Sequence, residues 1–66
     1  MNVLKLRGKM VEKEISVENL ASIIGRDKSS VYRRLDNGET FTVGEVQKIK
    51  DALELTHEEA SAIFFE

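Results

Sequence analysis

The residues best suited by type to acid–base or metal chemistry are His57, Glu58 and Glu59, with His57 the only histidine of the 66-residue chain. A metal site needs several convergent ligands, and general acid–base or nucleophilic work needs positioned partners. Consecutive residues diverge on a helix, so this trio does not converge. Thr56 and Glu59 instead make a Thr-x-x-Glu capping box, with the two carboxylates beside a helix N-terminus and His57 an exposed residue of its first turn. The chain has no cysteine, and its four glycines stand apart at 8, 25, 38 and 44, which leaves no loop to cradle a phosphate. Met10 is read as core filler, not as a ligand. The expectation is no enzyme, no metal and no cofactor.

A second set of residues points to recognition. The net charge is −2, but it is unevenly spread. Residues 1–34 carry a balance of +4 through Lys5, Arg7, Lys9, Lys13, Arg26, Lys28, Arg33 and Arg34, and residues 35–66 carry −6. Charge runs are commonly only solvated surface, yet four of these cations, at 26, 28, 33 and 34, fall in one short stretch. The net charge by itself argues against a nucleic-acid partner, but such clustering points towards one.

That stretch, Ser16 to Asn37, must be positioned by two short helices. Ser16 is a natural N-cap, and Leu20, Ala21 and Ile24 recur at helical spacing behind it. Gly25 stops the first helix by entering the left-handed conformation cheaply. Asp27 caps the second, whose apolar stripe is Val31 and Leu35. Ala21 sits where two steeply crossing helices would collide were it larger. A small residue, a glycine and a branched residue at these intervals predict a helix-turn-helix, against the plainer alternative of any helix–glycine–helix joint in a bundle.

The flanks read as three further helices. The first is expected from Val3 to Glu14, with Leu6 and Met10, joined by Val3, as its core stripe, Leu4 and Val11 beside it, and Lys5, Lys9 and Lys13 on another face. Gly8 weakens its interior and is a candidate point of close helix packing. Asn37 or Gly38 ends the recognition helix, and Phe41 is placed to staple onto Val46. Thr42-Val43-Gly44-Glu45 opens a fourth helix to about Leu53, with Val46, Ile49, Ala52 and Leu53 towards the core. The fifth carries Ala60, Ile63 and Phe64 inward. The expected fold is an all-α, compact five-helix domain spanning residues 1–66, with a helix-turn-helix from the second and third helices. Its length suits one small core. No run approaches the roughly 20 apolar residues of a membrane span, and NVLKLRGK is not a secretory signal, so a cytoplasmic location is expected.

The segment ENLASIIGRDKSSVYRRLDNGETFT, followed by two capped helices ending EEASAIFF, resembles the lambda-repressor-like helix-turn-helix family of phage repressors and Cro proteins. The likeness covers nearly the whole chain and is nearest to short regulators whose recognition helix ends Leu-x-Asn-Gly before Phe-Thr. Two departures stand out. Val17 and Glu18 replace a phosphate-binding glutamine common in the family. Leu35 lies four residues after Val31, where many members space it at three.

The resemblance implies a sequence-specific transcriptional regulator of double-stranded DNA, with the helix at about 28–36 in the major groove. On this chain the base contacts would be Lys28, Ser29, Tyr32 and Arg33, one helical face opposite Val31 and Leu35. Tyr32 would meet a thymine methyl or a phosphate. Lys9, Asn19, Arg26, Arg34 and Thr40 would contact phosphates, which set register and affinity. So small a domain makes few contacts, so a homodimer on a pseudo-palindromic operator is expected. Phe64 and Phe65 are adjacent and cannot face the same way, which makes Phe65 a candidate dimer contact or simply an end-of-chain residue. The rival reading is a protein-interaction module, an adaptor or antirepressor, whose acidic second half would suit a basic partner. A DNA-binding piece of a longer repressor would share the first mechanism.

Overall fold

Five short helices follow from five sets of start and stop signals. A computed structural model of the chain describes residues 1–65 and places α1 at Val3–Glu12, α2 at Val17–Ile24, α3 at Lys28–Asn37, α4 at Val43–Ala52 and α5 at His57–Phe64. The described residues are all-helical, with no strand. Four N-termini are capped by side chains: Asn2 accepts from the Lys5 N–H, and Ser16, Thr42 and Thr56 each form a reciprocal capping box with the third helical residue. Asp27 occupies the N-cap position of α3 with extended backbone, but its carboxylate makes no capping hydrogen bond. The expected Asp27 cap is therefore one of position and charge alone.

The C-termini of α1 to α4 share one device. A left-handed residue turns the chain, and the N–H after it donates back to a carbonyl five residues earlier: Ile15 to Met10 (2.8 Å), Arg26 to Ala21 (2.9 Å), Glu39 to Arg34 (3.1 Å) and Leu55 to Lys50 (2.9 Å). Gly25 and Gly38 supply the left-handed residue after α2 and α3, at φ of 74° and 70°. After α1 and α4 it is Glu14 and Glu54, at 57° and 53°, where a side chain resists that conformation. This shortens α1 relative to expectation: it ends at Glu12 because Glu14 has left the helix.

One hydrophobic cluster takes residues from all five helices, with Leu6, Leu20, Val31, Ile49, Leu53 and Ile63 its most deeply buried members. α2 packs on α3 and α4, and α1 packs on α5. Met10 and Phe64 are buried as expected, and Phe41 joins the same core while lining one groove with Val46. Leu4 and Val11, beside the buried stripe of Leu6 and Met10, are 84% and 78% exposed. One expectation for α1 fails. Gly8 permits no close packing, because a Cβ there would meet nothing within 4 Å; it lines an open groove between α1 and α5.

Candidate nucleic-acid interface

The turn between α2 and α3 is built from backbone. Gly25 donates to the Ser22 carbonyl, Arg26 donates to Ala21, and Ala21 itself is buried at the crossing. A larger side chain at 21 would drive the helices apart. The consequence is a rigid α2–α3 pair in which Val31 and Leu35 face the core while Lys28, Ser29, Tyr32 and Arg33 share the outer face of α3. All four expected base-contact residues are thus brought together and exposed.

The expected phosphate contacts are not equivalent. Arg34 turns inward: its side chain is only 12% exposed, and Nη1 donates to Glu45 Oε1 at 2.7 Å. Its guanidinium also lies 5.2 Å from the centre of the Phe41 ring, which in turn meets Phe64 edge-on at 6.3 Å. Arg26 is about half exposed and donates through Nε to the other oxygen of Glu45, again at 2.7 Å. Glu45 is therefore the buried keystone of the site, and it also closes the α4 capping box by accepting from the Thr42 N–H at 2.9 Å. Burial alone would raise its pKa, but the Thr42 N–H and the Arg26 and Arg34 guanidinium groups overcome that and hold it down at about 2. The charged network leaves no buried side-chain polar atom unpartnered among the described residues.

Lys9 belongs to a different part of the molecule. It pairs with Glu59 across α1 and α5, and with Glu12 at 3.1 Å on its own helix. The Glu59 and Glu12 carboxylates raise the Lys9 pKa above its ordinary 10.5. Lys9 first, then the Thr56 N–H, hold Glu59 at about 2. Asn19 lies on the exposed first turn of α2, with Oδ1 already accepting from the Ser16 hydroxyl (2.8 Å) and N–H (3.3 Å) in the capping box. Thr40 is exposed in the loop after α3. Phe65 is 73% exposed beside a groove of about 220 Å³ lined by Phe41, Val43, Val46 and Ala60, and Val43 is 87% exposed on the same rim. The exposed His57 borders that groove too.

The partners of three acidic residues at the candidate interface escape a reading of the sequence. Glu39 lies 3.6 Å from Arg33. Glu18 accepts a long hydrogen bond, 3.3 Å, from the Tyr32 hydroxyl. Glu45 announces itself only as a local cap through Thr-x-x-Glu, while the arginines it binds lie 19 and 11 residues away. Nothing in local periodicity signals such pairs.

No protein-family model matches the chain, and no curated protein or solved structure is similar to it at a significant level. Residues and geometry therefore carry the functional reading by themselves.

Proposed function

We propose that this chain is a sequence-specific double-stranded DNA-binding transcriptional regulator of the phage repressor and Cro type. It acts in the cytoplasm of a bacterial cell, with α3 in the major groove. One observation carries the reading: a tightly turned α2–α3 pair buries Val31 and Leu35 and exposes Lys28, Ser29, Tyr32 and Arg33 together. Lys28 and Arg33 suit guanine O6 and N7, and Ser29 bonds several bases. Arg26 and Thr40 flank that face as phosphate donors, and the amide nitrogen of Asn19 adds a third.

The molecule measures 28 Å along its longest axis, less than the roughly 34–36 Å between successive major-groove half-sites. One copy therefore reads one groove, and a homodimer reads a pseudo-palindrome. Phe65 and Val43, exposed around their shared groove, are the apolar surface offered to the second copy.

The rival adaptor reading draws on the ion pairs. Arg34 is held at the edge of the core by Glu45, Lys9 is paired with Glu59 and Glu12 at the surface, Arg26 is half-committed to Glu45, and Glu39 stands near Arg33. The outward positive charge is thus thinner than the sequence suggests. A titration against a randomised duplex pool at low and moderate salt separates the two readings. A DNA reader loses affinity with a log–log slope of about −0.9 per phosphate neutralised, and Arg33→Ala relaxes its base preference. Salt-insensitive or absent binding, unchanged by Arg33→Ala, would leave the adaptor reading standing alone.

A further inference from the structure

The outer face of α3 is not uniformly basic. The Tyr32 hydroxyl reaches back to the first turn of α2 and donates to Glu18 Oε2, with both residues exposed. A tyrosine hydroxyl has one proton to donate. With that proton turned to Glu18, what the pair shows the outside is a hydroxyl lone pair and a carboxylate, an edge that only accepts. The carboxylate rides at the tip of the tyrosine, so whatever the tyrosine tip meets, the carboxylate meets as well. A phosphate, which also only accepts, is the wrong partner for it.

We propose that Glu18, held by Tyr32, is a specificity residue that selects cytosine through its N4 amino group in the major groove. This rests on the reading of α3 as the groove-entering helix. In that groove guanine presents N7 and O6 and thymine presents O4, all acceptors, which an accepting edge repels. Adenine offers its N6 amino group beside an N7 acceptor. Cytosine's own edge offers the N4 donor and no acceptor, the nearest being O6 of its paired guanine, and carboxylates accept from N4 there. Glu18 therefore acts in two ways: it rewards cytosine and penalises guanine and thymine, with adenine between because its N6 donor stands beside N7, where a lysine or arginine would attract phosphate at every sequence. Such a residue raises specificity while lowering affinity for DNA at large.

The test compares wild type, Glu18→Gln and Tyr32→Phe in selection from the randomised duplex pool. Each protein is then titrated against the best site and against that site with a single C·G pair changed to T·A. The wild type is expected to enrich one cytosine per half-site on the strand facing α2, and to lose on the order of tenfold in affinity when it becomes thymine. Glu18→Gln, whose amide both donates and accepts, is expected to cut that ratio to about twofold. Tyr32→Phe, which frees the carboxylate to swing, is expected to fall between. Glu18 is exposed, so both variants should keep wild-type helical circular dichroism. A carboxylate that merely repels DNA would raise affinity for every duplex equally in Glu18→Gln and leave the cytosine-to-thymine ratio intact, and that result overturns the assignment alone. A wild-type protein that enriches no motif overturns the DNA reading and the assignment together.

Discussion

Arg33 and Arg34 are chain neighbours on α3 and meet opposite fates. Arg33 is 62% exposed, with Glu39 at a loose 3.6 Å, whereas Arg34 is 12% exposed and held by Glu45 at 2.7 Å over the Phe41 ring. One step along a helix turns a side chain by about 100°, enough to move a guanidinium from water to the edge of the core. The outer side of α3 leaves its charges in water, with Arg33 only loosely approached by Glu39. The inner side consumes them to fix the helix against α4. The same residue type thus fixes the helix on one side and, on the DNA reading proposed above, serves recognition on the other, so stability and binding should separate between them.

The largest difference is expected on removing the inner member. Arg34→Ala leaves Glu45 buried with half of its charge compensation gone, and breaking a buried pair of this kind costs about 3–5 kcal/mol. A 66-residue domain has little stability in excess of that. Urea unfolding should show Arg34→Ala largely unfolded in buffer. A midpoint within experimental error of wild type would mean that the Glu45 network is ornamental.

Acid probes the same contact without mutation. Glu45 has a folded-state pKa depressed from 4.5 to about 2, so its stabilisation is present above the unfolded value and is lost as pH falls from 4.5 towards 2. A shift of that size corresponds to about 3 kcal/mol. Glu59 titrates in the same direction over the same interval, through Lys9 and the Thr56 N–H. Stability measured from pH 6 to pH 2 should fall in that window, and Glu45→Gln should flatten much of the fall while lowering the plateau above it. An unaltered pH profile in Glu45→Gln would place the acid sensitivity elsewhere.

How much of this was legible follows from distance along the chain. The caps at Ser16, Thr42 and Thr56 and the stops at Gly25 and Gly38 depend on residues within a few positions of each other, and sequence spacing displays them. So does the outward grouping of Lys28, Ser29, Tyr32 and Arg33. The inward turn of Arg34 was visible only in its position, three residues after Val31 on the margin of the apolar stripe, and the expected phosphate contact took it as outward. Its partner was not visible, because Glu45 arrives from the next helix. Glu14 and Glu54 show the other limit: a glutamate is a good helix former, and only the packing of Ile15 and Leu55 into the fold demands that each turn left-handed. Leu4 and Val11 show a related limit, as apolar residues beyond the width of the face that α1 presents to α5.

Backbone positions away from the two arginines sharpen the comparison by giving a scale for ordinary effects. Gly8 is helical with open space where a Cβ would go, so Gly8→Ala is expected to stabilise by about 1 kcal/mol. Glu14→Gly, at φ 57°, relieves a strained conformation and is expected to gain about 1 kcal/mol or less. On the DNA reading, both should leave duplex affinity unchanged, since neither residue lies on α2 or α3. A loss of stability in Gly8→Ala would mean that the groove between α1 and α5 closes around that glycine.

The smallest stability effect is expected at Arg33 itself. Its guanidinium is mostly in water, its contact with Glu39 is longer than a good ion pair, and exposed pairs contribute only about 0–1 kcal/mol. Arg33→Ala should therefore unfold within about 0.5 kcal/mol of wild type, as surface substitutions do. Removal of Glu39 should be equally quiet in unfolding, yet Glu39→Gln takes away a competitor for the guanidinium and should strengthen duplex binding where Arg33→Ala weakens it. Opposite signs in binding with near-silence in stability are what a free outer arginine requires. Should Arg33→Ala destabilise as Arg34→Ala does, the two sides of α3 would not be divided between recognition and orientation, and the outer face would be part of the scaffold.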